Sequence, residues 1–199
     1  MSTQYDFWII QGRYGTGKTL FLTALAKLLH KNYKKVYANF TLDKTKISNF
    51  EYIEDFSIDV ISKFKKPSMV LITESYKYID KRECMKKKNV LISQGIQEIR
   101  KDEYFLVCDV MDSAMVDFRF LNVSTNIVNA LGNCSEYGEQ FKNIFRYKLG
   151  FYDVIQGEFN FNNPDFFMDM SEIYGIYDTK EKINKPLSEK EKKEKDKED

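Results

Sequence analysis

The sequence has little of what secreted, metal-built or membrane-embedded proteins depend on. Its three cysteines, Cys84, Cys108 and Cys134, are odd in number and far apart. They make no disulfide framework and read as small buried hydrophobes or reduced thiols of a cytosolic chain. The lone histidine, His30, has no ligand partners nearby and reads as the end of a helix. A net charge of +1, from 31 Lys and Arg against 30 Asp and Glu, supplies no overall field to attract nucleic acid or an anionic membrane. Any DNA contact must therefore be local. No run approaches the ~18 consecutive apolar residues of a membrane-spanning helix, and Met1–Asp6 carries no basic stretch ahead of an apolar one. Export and membrane spanning are not expected, and the cytoplasm is the expected location. What is plentiful is aromatic, with sixteen Phe and thirteen Tyr beside one Trp. A chain of 199 residues with that content can bury one sizeable core without staples.

Apolar periodicity divides the chain into strands and helices. Phe7-Trp8-Ile9-Ile10-Gln11 has strand length, and Phe21, Leu25, Leu28 and Leu29 then recur at helical spacing up to about His30. Residues 35–40, 68–72 and 104–108 read as further strands and 125–130 as a weaker fifth, with a helix expected over 86–101. Strands alternating with helices and carrying continuous apolar runs predict an α/β fold with a doubly wound, mainly parallel sheet covered on both faces. Runs at 143–149 and 152–156 flank Gly150 and suggest a terminal antiparallel hairpin. From about residue 184 the chain is almost entirely Lys, Glu and Asp, too polar to offset the entropy of ordering. One domain over 1–183 and a disordered charged tail over 184–199 are expected.

The chemistry concentrates in Gly12-Arg13-Tyr14-Gly15-Thr16-Gly17-Lys18-Thr19, the spacing G-x-x-x-x-G-K-T between an apolar strand and an amphipathic helix. Glycines let backbone N–H groups turn towards phosphate at a helix start. The lysine reaches the β- and γ-oxygens, and the threonine hydroxyl ligates Mg²⁺. This is a nucleoside-triphosphate loop. No N/T-K-x-D segment for guanine follows, so ATP is the expected nucleotide. Hydrolysis further needs a carboxylate for the magnesium shell at a neighbouring strand end and a glutamate to activate water. In Val70-Leu71-Ile72-Thr73-Glu74, Glu74 stands in the catalytic place while Thr73 replaces the aspartate. Asp109 or Asp80 is a candidate to supply the missing charge through metal-bound water.

Tyr76-Lys77-Tyr78-Ile79-Asp80-Lys81-Arg82, Gln97-Glu98-Ile99-Arg100-Lys101, Val116-Asp117-Phe118-Arg119 and Ile176-Tyr177-Asp178-Thr179-Lys180-Glu181-Lys182-Ile183 follow in that order. Together with the loop and Thr73-Glu74, this order resembles the FtsK/HerA-type DNA-packaging ATPases of archaeal viruses and their Zot-like relatives. The resemblance covers most of residues 1–183. It implies a P-loop motor that forms a homo-oligomeric ring and uses ATP and Mg²⁺ to move double-stranded DNA into a capsid, with a capsid or portal protein as a further partner. It also implies an arginine supplied across the subunit boundary, for which Arg100 and then Arg119 are the candidates. The chain departs from the family at Thr73 and again where Asp109 or Val110 replaces a sensing glutamine.

Lysine groups at 31, 34 and 35, at 63, 65 and 66, and at 86–88 could hold DNA backbone without base readout, and Lys86, Lys87 and Lys88 form the preferred group. Two other readings stay open. One is a nucleotide-binding structural or regulatory subunit with weak hydrolysis, which Thr73 and the absent glutamine favour. The other is a small kinase sharing the loop, although residues 132–165 carry only Arg146 for an acceptor lid.

Overall fold

A computed structural model describes residues 6–79, 81–83 and 103–177. The helix expected over 86–101, Asp80, Lys86–Lys88, Arg100, the closing motif beyond Tyr177 and the charged tail lie outside the described residues.

Among the described residues the core is a nine-stranded sheet. Its strands are β1 (Asp6–Gln11), β2 (Lys35–Ala38), β3 (Phe50–Tyr52), β4 (Ser68–Ile72), β5 (Tyr104–Val110), β6 (Asn126–Asn133), β7 (Ile144–Asp153), β8 (Glu158–Asn160) and β9 (Asp165–Asp169). They run in the order β3-β2-β4-β5-β1-β6-β7-β8, with β9 also on β7. Every pairing from β3 to β6 is parallel, and those of β7 with β6, β8 and β9 are antiparallel. The continuous apolar runs explain why the centre is parallel, since every residue of β4 and β5 is buried and such strands need cover on both faces.

That cover comes as two hydrophobic layers. Helix α1 (Lys18–Leu29) lays Phe21, Leu22 and Leu25 on one face, against Ile10, Leu71, Val107 and Val128. The other face is closed by short elements, α2 (Ile58–Ile61), α3 (Tyr76–Ile79) and α4 (Phe118–Leu121), whose Ile61, Tyr78 and Phe120 meet Phe7, Ile9, Val70 and Leu106. None of the helices described is long and apolar enough to cross a membrane.

The structure adds a strand that the sequence did not suggest and corrects one reading. Strand β3 has no run of its own, because only Phe50 of its three residues is buried. Its pairing with β2 is what makes it a strand. Gly150 is not a turn between two strands but lies inside β7, opposite Ile127. A Cβ there would meet Asn160 O at 2.4 Å, so glycine serves close backbone approach rather than reversal. The reversal after β7 occurs further on, through Gly157 at φ 69°.

The sheet brings the C-terminal ends of β2, β4, β5 and β1 to one edge. The chain leaves β1 for β2 on one side of it and later places β6 on its other side, so strand order reverses at β1, where doubly wound sheets bind ligands. Leu71 is fully buried between the strands that form this edge. Leu71→Ala should cost about 2–5 kcal/mol of stability, read as a lower urea midpoint with an unchanged slope.

Candidate nucleotide site

β1 ends at Gln11, and the chain turns directly into α1. Two glycines make the turn possible. Gly12, at φ 155°, leaves no room for a Cβ, which would lie 2.7 Å from Ala130 O. Gly17 sits at φ 89° as the N-cap of α1 and provides no side-chain cap. The first intrahelical bond runs from Phe21 N–H to Gly17 O at 2.9 Å, so the amides of the first turn have no carbonyl within the helix to bond. That turn carries no acidic residue. A helix start of this kind favours an anion.

Lys18 bends back over the loop, its Nζ donating to Gly12 O at 2.8 Å and Arg13 O at 3.0 Å. Burial lowers its pKa, while the Asp109 and Glu74 carboxylates oppose that change. Thr16 Oγ1 closes the loop on Arg13 O at 2.8 Å. Arg13 and Tyr14 are exposed, and Tyr14 places its ring 5.7 Å from Lys18 Nζ.

The strand ends opposite carry one connected network. Asp109, only 2% exposed, accepts from the Thr73 hydroxyl through Oδ2 at 2.8 Å and from Glu74 N–H through Oδ1 at 2.6 Å. Its carbonyl accepts the Ser75 hydroxyl and amide. Thr73 Oγ1 lies 3.5 Å from Thr19 Oγ1, so Asp109, Thr73 and Thr19 form a chain from the buried carboxylate to the start of α1. Asn39, beyond β2, grips the Thr73 backbone from the other side, donating to its carbonyl at 2.9 Å and accepting from its amide at 2.8 Å. Glu74 follows at φ 52°, the left-handed region that a side chain pays for in strain. Its carboxylate pairs with Lys77 of α3.

These groups line one cleft of about 340 Å³, bounded by Tyr14, Lys18, Thr19, Thr73, Glu74 and Asp109, with Phe40 and Tyr177 also in its wall. The structure thus brings together Gly15, Gly17, Lys18 and Thr19 with Thr73, Glu74 and Asp109. Val110 presents an apolar side chain to the same cleft. Arg119 is not in that wall. It is engaged by the buried carboxylate of Asp117, its Nε donating at 3.0 Å. Among the described residues no group of three or more His, Cys, Asp or Glu gathers as a metal site. Mg²⁺ would therefore rest on the Thr19 hydroxyl, on nucleotide oxygens and on waters held by Thr73 and Asp109, a hard-oxygen set that suits it.

The sequence alone did not single out Asn39, Lys77 or Tyr147. Asn39 lies in a predicted strand, and nothing local marks the amide as a bridge to Thr73. Lys77 has a readable signal, its position three residues after Glu74 at a helix start.

No family model matches the chain. Over 74 residues it is 38% identical to the uncharacterized protein ORF2 of Spiroplasma virus SpV1-R8A2 B, and equally to ORF2 of Spiroplasma virus SpV1-C74. Those matches span 36% of this chain and only 22% of either relative. Among solved structures, it is similar to the N-terminal domain of zonular occludens toxin from Neisseria meningitidis, with a TM-score of 0.55 over 88% of this chain and 100% of that one at 16% identity. The genome packaging NTPase B204 of Sulfolobus turreted icosahedral virus 2, in complex with ATP-gammaS, gives 0.50 over 82% and 99% at 14% identity. The chain has the P-loop NTPase fold. The same packaging NTPase in complex with AMP gives 0.52 over 82% and 99% at 12% identity.

Burial holds the Asp109 carboxyl above the usual aspartate range, against the opposing effects of the Thr73 hydroxyl, the Lys18 ammonium and the Glu74 amide. The folded chain keeps this proton more tightly than the unfolded chain. Its contribution to stability is therefore complete below the unfolded pKa and lost as pH rises through the folded one. The wild-type chain therefore loses stability from this group as the pH rises out of the acid range. Asp109→Asn should flatten this pH dependence, and the melting midpoint of the nucleotide-free variant should gain on that of the wild type as the pH is raised. Thermal unfolding across that pH range checks both.

Proposed function

We propose that the chain is an oligomeric ATPase that moves double-stranded DNA, in the service of packaging a viral genome. One observation carries the reading. A phosphate loop, an Asp109–Thr73–Thr19 chain of polar contacts and Glu74 meet in a single cleft. The likeness to the packaging NTPase B204 and to the toxin domain supports the fold beneath it, and the ordered motifs after the loop support the packaging role.

The residues fit ATP and Mg²⁺. The loop from Gly12 to Thr19, including Arg13, Tyr14, Gly15, Thr16 and Gly17, holds the phosphates with backbone amides, and Lys18 turns from its carbonyl partners to the β- and γ-oxygens. Mg²⁺ neutralises phosphate charge. The Thr73 hydroxyl donates its hydrogen bond to Asp109, which leaves its oxygen an acceptor facing Thr19. The negative charge that the strand-end aspartate usually supplies is then present on the adjacent strand, at Asp109. Glu74 is the carboxylate that orients and deprotonates the attacking water, and the pair with Lys77 must open for it to do so. Arg100 is the first candidate, and Arg119 the second, for the finger offered to a neighbouring subunit's γ-phosphate. Lys86, Lys87 and Lys88 contact DNA backbone. The ring works in the cytoplasm of the host cell, with a capsid or portal protein as the docking partner.

A second reading, a nucleotide-binding subunit with weak hydrolysis, is favoured by the uncharged Thr73, the apolar Val110 and the engagement of Glu74 by Lys77. Phosphate release from Mg²⁺-ATP, with and without duplex DNA, separates the two. A motor releases phosphate faster with DNA, and Lys18→Ala abolishes both rates. ATP binding with no release under either condition would leave only the second reading. Glu74→Gln should retain ATP binding while turnover falls about 10²–10⁴-fold. Asp109→Asn should weaken Mg²⁺-dependent ATP binding, and unchanged binding would remove Asp109 from the metal shell.

A further inference from the structure

β7 belongs to the antiparallel margin of the sheet, yet its N-terminal half packs directly on the phosphate loop. Tyr147 is fully buried and donates its hydroxyl to Gly17 O at 3.0 Å. The same carbonyl accepts Phe21 N–H, so both of its lone pairs are used. A Cβ on Gly17 would lie 2.4 Å from the Phe145 ring and 2.9 Å from Tyr147 Oη, so the aromatic face of β7 fills the space that glycine leaves. The Tyr147 ring is itself fixed from both sides. Phe21 of α1 lies 4.8 Å away and Phe166 of β9 5.7 Å away, centroid to centroid. Burial pushes the phenol pKa well up, so it remains a donor.

The consequence follows from the peptide plane. Gly17 C=O and Lys18 N–H belong to one planar trans unit and point in opposite directions. A hydroxyl that pins the carbonyl towards β7 therefore aims the Lys18 amide away from β7, towards the mouth of the loop. We propose that Tyr147 is a positioning residue of the phosphate site, holding the Gly17–Lys18 peptide in its anion-binding orientation and coupling it to the C-terminal antiparallel strands. The proposal rests on reading the cleft as a nucleoside-triphosphate site. It assigns a nucleotide-linked role to a strand outside the phosphate loop and its facing strand ends.

Tyr147→Phe keeps the ring contacts and deletes only the hydroxyl. Titration calorimetry of the full chain with ADP and with inorganic pyrophosphate, well below the melting midpoint, should show both dissociation constants raised about 3–10-fold. The two ligands should weaken alike, because the effect lies at the phosphates and not at the base. Tyr37→Phe is the control. Its hydroxyl accepts Lys65 N–H at 3.1 Å in the opposite hydrophobic layer, so its loss should lower the melting midpoint and leave both constants unchanged. Tyr147→Phe within twofold of wild type, or Tyr37→Phe weakening binding as much, overturns the positioning role alone. A wild-type chain that binds neither ligand overturns the nucleotide reading and the positioning role with it.

Discussion

One buried carboxylate organises the functional edge of this molecule. Asp109 is the penultimate residue of a strand in which every residue is buried, and its two oxygens hold the Thr73 hydroxyl and the Glu74 amide while its carbonyl holds Ser75. The whole turn after β4 is thereby folded around the end of β5. A carboxylate so deeply buried is unfavourable unless its oxygens are occupied, and occupying them fixes the backbone of three successive residues. The left-handed conformation of Glu74 is held by that arrangement, and Asn39 secures Thr73 from the β2 side.

The phosphate loop faces this network from the other side of the cleft, and it depends on the fold in a different way. Its glycines supply conformational freedom and would not by themselves select one shape. Selection comes from neighbours. Ala130 closes the space over Gly12, and Phe145 and Tyr147 close the space over Gly17. Both sets of neighbours come from β6 and β7, on the side of β1 away from Asp109. The loop is held between two margins of the sheet, one carrying charge and hydroxyls and the other carrying rings. That division suits a site that binds an anion rigidly.

The order of strands explains how Thr73 and Asp109 can share one task. β4 and β5 are parallel neighbours with Ile72 opposite Cys108, so the residues that follow each of these emerge side by side. An acidic side chain on either strand end reaches the same space. On the function proposed here, exchange of the charge between them would leave the sheet unchanged and alter only which residue brings the negative charge and which brings the hydroxyl.

Much of this was legible in the sequence, and the boundary has a physical basis. The loop from Gly12 to Thr19 and the strand-helix context around it are local features, written in glycine spacing and apolar periodicity. The parallel centre is likewise written in the continuous apolar runs at 68–72 and 104–108, because such runs are stable only between two covered faces. The strand character of 50–52 is not written there, since two of its three residues are exposed and its partner supplies the pairing. Gly150 misled for a related reason: its role is to admit the Asn160 backbone, a contact made after the chain has reversed. The contacts that complete the site, Asp109 with Thr73 across 36 residues and Tyr147 with Gly17 across 130, belong to the same class. The sequence by itself determined the glycine turn between strand and helix and the α/β architecture, because these follow from short-range spacing. Tertiary structure alone decided which carboxylate meets Thr73 and which ring pins the loop, because those depend on strand order, and strand order is set by packing over the whole sheet.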